Sequence, residues 1–142
     1  MSIEATRQTY ISGFATGWAA YDPTWDQKTR IHWPPTKEDF KEPQAPWLRV
    51  IFGDVEGFND AIGVLDTQIA LFTVDIYVPL ATESADLLGT LALEVRRVIR
   101  LIPTPSNANP KDLGFRRFGR TETGFAHGRV KLELDYTLPD FA

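Results

Sequence analysis

Two hydrophobic periods alternate along this chain, and the switches between them mark its elements. Ile3, Tyr10, Ile11, Phe14 and Trp18 recur mainly at intervals of three, four or seven, predicting an amphipathic helix. Ser2 is placed to cap it, with Glu4 near the positive end of the helix dipole. Gly13 and Gly17 each weaken that helix by about 1 kcal/mol relative to Ala, and they leave room for another backbone to approach. Pro23 disfavours helical geometry at Asp22, so the helix should stop near Ala20. Leu87, Leu88, Leu91, Ala92, Val95, Val98, Ile99 and Ile102 form the stripe of a second helix, wide enough to lie on a sheet. Thr82 is its expected N-cap, with Glu83 and Asp86 at its start. Arg96, Arg97 and Arg100 lie toward its end, and Pro103 and Pro105 stop it.

Alternation by two fills the remainder. Arg30–Trp33 predicts a short strand that Pro34 and Pro35 end. In "PWLRVIFGDV", Leu48, Val50 and Phe52 face one way and Trp47, Arg49 and Ile51 the other. "EGFNDAIG" has turn and loop chemistry. From Gln68 to Val78, Phe72, Val74, Ile76 and Val78 oppose Thr73, Asp75 and Tyr77. "SNANP" reads as a loop, Leu113–Gly119 as a strand and "RTETG" as a turn. The last strand sets Val130, Leu132, Leu134, Tyr136 and Leu138 on a core face. Arg129, Lys131, Glu133, Asp135 and Thr137 alternate with them on a wet one. A single helix joins strands, which excludes a doubly wound parallel sheet. The expected fold is α+β: a mixed, mainly antiparallel sheet of four or five strands with two helices packed on one face.

Composition narrows the function. A chain of 142 residues, 43% hydrophobic, suits one domain with a full core. The absence of Cys excludes disulfides and thiolate metal sites and suits a reducing compartment. A net charge of -4 argues against a protein whose main task is gripping nucleic acid. "MSIEATRQTY" does not read as a signal peptide, and no apolar run reaches membrane-spanning length, so no membrane partner is expected.

Candidate chemistry is sparse. His32 and His127 have no spaced partner, and the chain offers too few N or S ligands for zinc. Glu133 and Asp135 share a strand face where charge is expected anyway; a small hydrolase using them or His127 is one alternative. No nucleotide-binding glycine motif is present, and neither a cofactor nor a catalytic residue is expected. "RRFGR" interleaves Arg116, Arg117 and Arg120 with Phe115 and Phe118. That pattern fits a solvated strand face, an Arg-rich subunit interface or, less well, a single-strand nucleic-acid binder. Asp54, Glu56 and Asp60, around Phe58, would supply the acidic partners of such an interface, with Arg96 and Arg100 as further cations.

"IHWPPTKEDFKEPQAPWLRV" holds four of the ten prolines and two of the four tryptophans. Pro34, Pro35, Pro43 and Pro46 stiffen this connection, and Trp33 and Trp47 anchor its ends; less entropy is then lost on docking. It would be either a docking segment or a surface loop tied to its own core.

With "IHWPP" and "PWLRVIF", three features resemble the tail terminator (minor tail or tail-completion) proteins of long-tailed bacteriophages. They are the N-terminal helix, the run "AIGVLDTQIALFTVDIYVPLATESADLLGTLALEVRRVIR" and the closing "GFAHGRVKLELDYTLPDF". The resemblance covers most of the chain but matches Asn107–Arg120 least, and it lies in pattern and short phrases. It implies a mixed sheet flanked by helices and a non-enzymatic virion protein at the head-proximal end of the tail. Such a protein forms a homo-oligomer of six copies, a ring that caps the tail tube protein and stops its polymerisation. The ring then offers a surface to the head-side connector while DNA passes through without specific binding. A head–tail joining protein is the nearest alternative. The ring should form only weakly in isolation, as befits a part that acts last.

Overall fold

The computed structural model describes residues 3–34, 40–59, 66–82, 86–104 and 108–137. The element order is α1 (Ile3–Tyr21), α2 (Gln27–Arg30), β1 (Ile31–His32), β2 (Trp47–Asn59), β3 (Asp66–Pro79), α3 (Leu87–Arg100), β4 (Ala108–Arg120) and β5 (Phe125–Thr137). The strands form one sheet in the order β1-β2-β3-β5-β4. Every pairing is antiparallel except β1 with β2, which is parallel. The protein is thus α+β, with a mixed, mainly antiparallel sheet and the long helices α1 and α3 packed on one face.

The helical periodicity of α1 becomes burial: Tyr10, Phe14 and Trp18 are at most 1% exposed. Phe14 stacks on Trp18 and meets Phe72 of β3 edge-on. From α3, Leu88, Leu91, Ala92, Val95, Val98 and Ile99 are buried against the sheet. The sheet answers with Leu48, Val50 and Phe52 of β2, with Phe72, Val74, Ile76 and Val78 of β3, and with Val130, Leu132 and Leu134 of β5. Each such side chain contributes about 1.5–3 kcal/mol when fully buried. Gly13 and Gly17 do permit close approach, but by side chains: a Cβ at Gly17 would lie 2.7 Å from Val98 Cγ1, and one at Gly13 lies 3.1 Å from Ile102 Cγ1. Branched side chains of and just after α3 seat in the notch that the two glycines leave on α1.

Several boundaries differ from expectation. α3 is capped by Asp86, not Thr82: the Asp86 carboxylate accepts from the Gly89 N–H at 3.2 Å, while Thr82 ends a 3-10 turn, Leu80–Thr82. Asp86 sits at φ 57, a left-handed conformation that a short carboxylate side chain tolerates. β2 continues through Glu56–Asn59, where turn chemistry was expected, because those residues pair with β3 from Ile69 to Asp66. A register shift between Asp54 and Glu56 absorbs one extra residue. The rest of that expected loop, Asp60–Gly63, lies outside the described residues, as do Ser2, Glu83 and Leu138. β4 is longer than the expected Leu113–Gly119, and Ala108–Pro110 are strand, not loop. Pro110 is accommodated because β4 is an edge strand; register shifts at Asp112/Gly114 and Arg117/Gly119 use glycines at φ 82 and 91. The first predicted strand shrinks to β1, since Asp26 caps the short helix α2, accepting from the Lys28 N–H at 3.0 Å.

The face away from the helices is not simply wet. Thr73 and Asp75 are buried there, and Trp47, Tyr77 and Phe125 form a second apolar cluster with Phe40 packed against it.

Candidate assembly interface and the open face of the sheet

The predicted arginines converge on β4 and the end of α3. Arg96 and Arg100 share one carboxylate, Asp112 Oδ2, at 2.9 and 3.4 Å. The register shift after Asp112 also aims the Gly114 N–H at Asp112 Oδ1, 2.7 Å away. Burial raises the Asp112 carboxyl, but the bonds from Arg96 and Gly114 and the nearby arginine charge outweigh it and hold its pKa below the ordinary range. Arg117 pairs with Asp86 at 2.6 Å, tying β4 to the cap of α3 and lowering the Asp86 pKa together with the Gly89 N–H. Arg116 lies 5.4 Å above Phe118, and Arg120 ends the strand, exposed. Along β4, Lys111, Arg116, Arg117 and Arg120 stand against a single carboxylate, Asp112. Leu113 and Phe118 remain 48% and 43% exposed among them.

The acidic candidates lie elsewhere. Asp54, Glu56 and Phe58 stand on β2, and Asp60 falls outside the described residues. β3 and β5 separate β2 from β4, so the two groups are three strand spacings apart, about 14 Å. That exceeds the reach of an ion pair between strands. The sequence-predicted partners are therefore not brought together within one subunit. They occupy opposite sides of the same sheet.

Trp33 and Trp47 hold the two ends of the proline-rich connection on opposite faces. Trp33 packs on the helical side, edge-on to Phe14, whereas Trp47 is 1% exposed in the open-face cluster. Within the connection, Phe40 contacts both Trp47 and His32, at ring separations of 4.8 and 4.9 Å. Arg30 Nε also donates to the Pro46 carbonyl at 2.9 Å. The described part of the connection is thus tied back to its own domain at Phe40 and Pro46.

A feature not recognised in the sequence lies at the centre of the open face. Cross-strand register aligns Arg49, Asp75, Arg129 and Arg116 in one row across β2, β3, β5 and β4. Asp75, 1% exposed, accepts from Arg129 Nε at 2.6 Å and from its Nη2 at 3.3 Å, and lies 3.2 Å from His127 Nε2. Arg49 donates to His32 Nδ1 at 3.2 Å and to the Tyr77 hydroxyl at 3.0 Å. Burial, then the charge of Asp75, pushes the Tyr77 phenol pKa up, so its hydroxyl stays protonated. Above this row the rings of His32, Phe40, Trp47, Tyr77, His127 and Phe118 follow one another at 4.1–5.1 Å. With its ring between Tyr77 and Phe118 and Nε2 on Asp75, His127 acts as a structural tie. The available sequence signal was Asp75 itself, a carboxylate inside the apolar run "LFTVDIYV".

An apolar pocket of about 230 Å³ lies between Tyr10, Ile99, Ile102, Pro110 and Leu132, with Arg96 and Arg100 at its rim. Among the described residues no group of three or more His, Asp or Glu is placed to hold a metal. No described helix is long and apolar enough to cross a membrane. No protein-family model matches the chain, and no curated protein matches it either.

Proposed function

We propose that this protein is a structural component of a phage virion, a ring-forming tail terminator that caps the tail tube, stops its growth and presents a surface for head attachment. A ring needs a heterologous interface, in which one patch of each copy meets a different patch of the next. The observation that carries the reading is the separation of charge across the sheet. One outer side, β4, holds four cations and one carboxylate, while β2 beyond Arg49 holds Asp54 and Glu56 and no cation. Like sides repel and unlike sides attract, which favours head-to-tail association over symmetric pairing. The mixed sheet flanked by helices is also the fold that the family resemblance implies. In this reading the work lies in shape and surface charge. His127 and Asp75, the groups best suited to proton transfer, are spent on holding the open face together.

The test is electron microscopy of particles made by a phage that lacks this gene. Abnormally long tails, with normal length restored by the wild-type protein, support the proposal. Normal-length tails detached beside full heads identify a joining protein instead, and intact virions refute both roles.

A further inference from the structure

We infer that neighbouring copies join by extending the sheet: the outer edge of β4 pairs antiparallel with the unpaired stretch of β2 in the next copy. This rests on the assembly reading above and specifies its junction. Three observations point to it. β4 is a 13-residue edge strand whose outer backbone groups pair with no described strand. On the opposite edge, β1 covers β2 only at Leu48 and Arg49, leaving Val50–Asn59 without a described neighbour on that side. The first edge is basic and exposes Leu113 and Phe118; the second carries Asp54 and Glu56. An exposed, partly apolar strand edge is a template for another strand.

Direction follows from topology. Three successive antiparallel pairings, β2 with β3, β3 with β5 and β5 with β4, leave β2 and β4 running oppositely. Rotation about a ring axis that lies along the strands preserves strand direction, so β4 of one copy meets β2 of the next antiparallel. With Arg120 beside Val50, the register shift between Arg117 and Gly119 brings Arg116 beside Gly53, one residue from Asp54. The two irregularities in β4 and the proline at Pro110 divide the junction into short runs, which keeps it weak. Its positive charge rejects a second β4, so the edge accepts the acidic strand and refuses its own kind.

The chain contains no cysteine, so new thiols report contacts unambiguously. A double variant, Gly53→Cys with Arg116→Cys, would be treated with a short bismaleimide at concentrations where sedimentation detects assemblies, with circular dichroism confirming the fold. The expected product is a ladder of covalent oligomers ending at the ring size, whereas each single variant stops at dimers. Hydrogen exchange on the unmodified protein provides a second readout: β4 and Val50–Asn59 slow together upon assembly. Assemblies that form without the ladder and without that protection overturn the junction but leave the ring reading standing. Failure to assemble at any concentration, alone or with tail-tube protein, overturns both.

Discussion

The buried carboxylate of Asp75 gives the most direct test of how the open face is held. Asp75→Ala removes the partner of Arg129 Nε and Nη2 and the carboxylate facing His127 Nε2. Breaking a fully buried ion pair from one side costs about 3–5 kcal/mol. Here the Arg129 side chain is still 33% exposed and recovers part of its hydration, so the expected loss is about 2–3 kcal/mol. For a domain of this size that corresponds to a melting point lower by roughly 6–12 °C. Asp75→Asn, which keeps the shape and one acceptor, should lose less. Urea unfolding at neutral pH measures each variant, and a double-mutant cycle with Arg129→Gln isolates the pair. A coupling of about 1 kcal/mol or more is expected. A loss typical of surface substitutions, below about 0.5 kcal/mol, or a cycle without coupling, would refute the view that this pair organises the open face.

Three further outcomes are expected. His32 has a lowered pKa, through burial and then the Arg49 charge. A base whose pKa falls on folding binds fewer protons folded than unfolded, so stability is full above the ordinary histidine value of about 6.5 and declines as pH drops through it. It levels off below the folded pKa, and His32→Gln should flatten that part of the urea midpoint against pH. Gly17→Ala gains about 1 kcal/mol of helix propensity but drives Cβ into Val98, and overpacking costs about 1–3 kcal/mol. The variant should therefore be neutral to destabilised, and Val98→Ala should soften the defect; equal effects in both backgrounds would show that the notch is not the cause. Finally, Arg116→Glu with Arg120→Glu, and separately Asp54→Arg with Glu56→Arg, should each abolish assembly by sedimentation. An equimolar mixture of the two should restore alternating rings, and a mixture that stays monomeric would count against heterologous charge pairing.

The fold was legible wherever one face of an element is apolar and the other polar. Phe72, Val74, Ile76 and Val78, and the stripe from Leu88 to Ile99, fell on the core side as their spacing required. Boundaries were lost where long-range pairing overrode local preference. Gly57 and Asn59 look like turn residues, yet the ladder with β3 holds them extended, and Gly114 and Gly119 bend a strand without ending it. The cap moved to Asp86 because a left-handed residue and its Arg117 partner, 31 positions away, leave no local signature. The arginines of β4 were visible as a cluster, but the pairing of Arg117 with Asp86, and of Arg96 and Arg100 on α3 with Asp112, was not. The row from Arg49 to Arg116 was hidden altogether, because alternation alone marks such positions as solvent-facing and says nothing of which strands lie side by side.

The brevity of β1 has a consequence for growth. Any strand that adds to β2 along that side meets the end of β1 after Arg49 and can slide no further. In the proposed assembly a two-residue strand would thereby work as an end-stop, giving every incoming copy the same starting position.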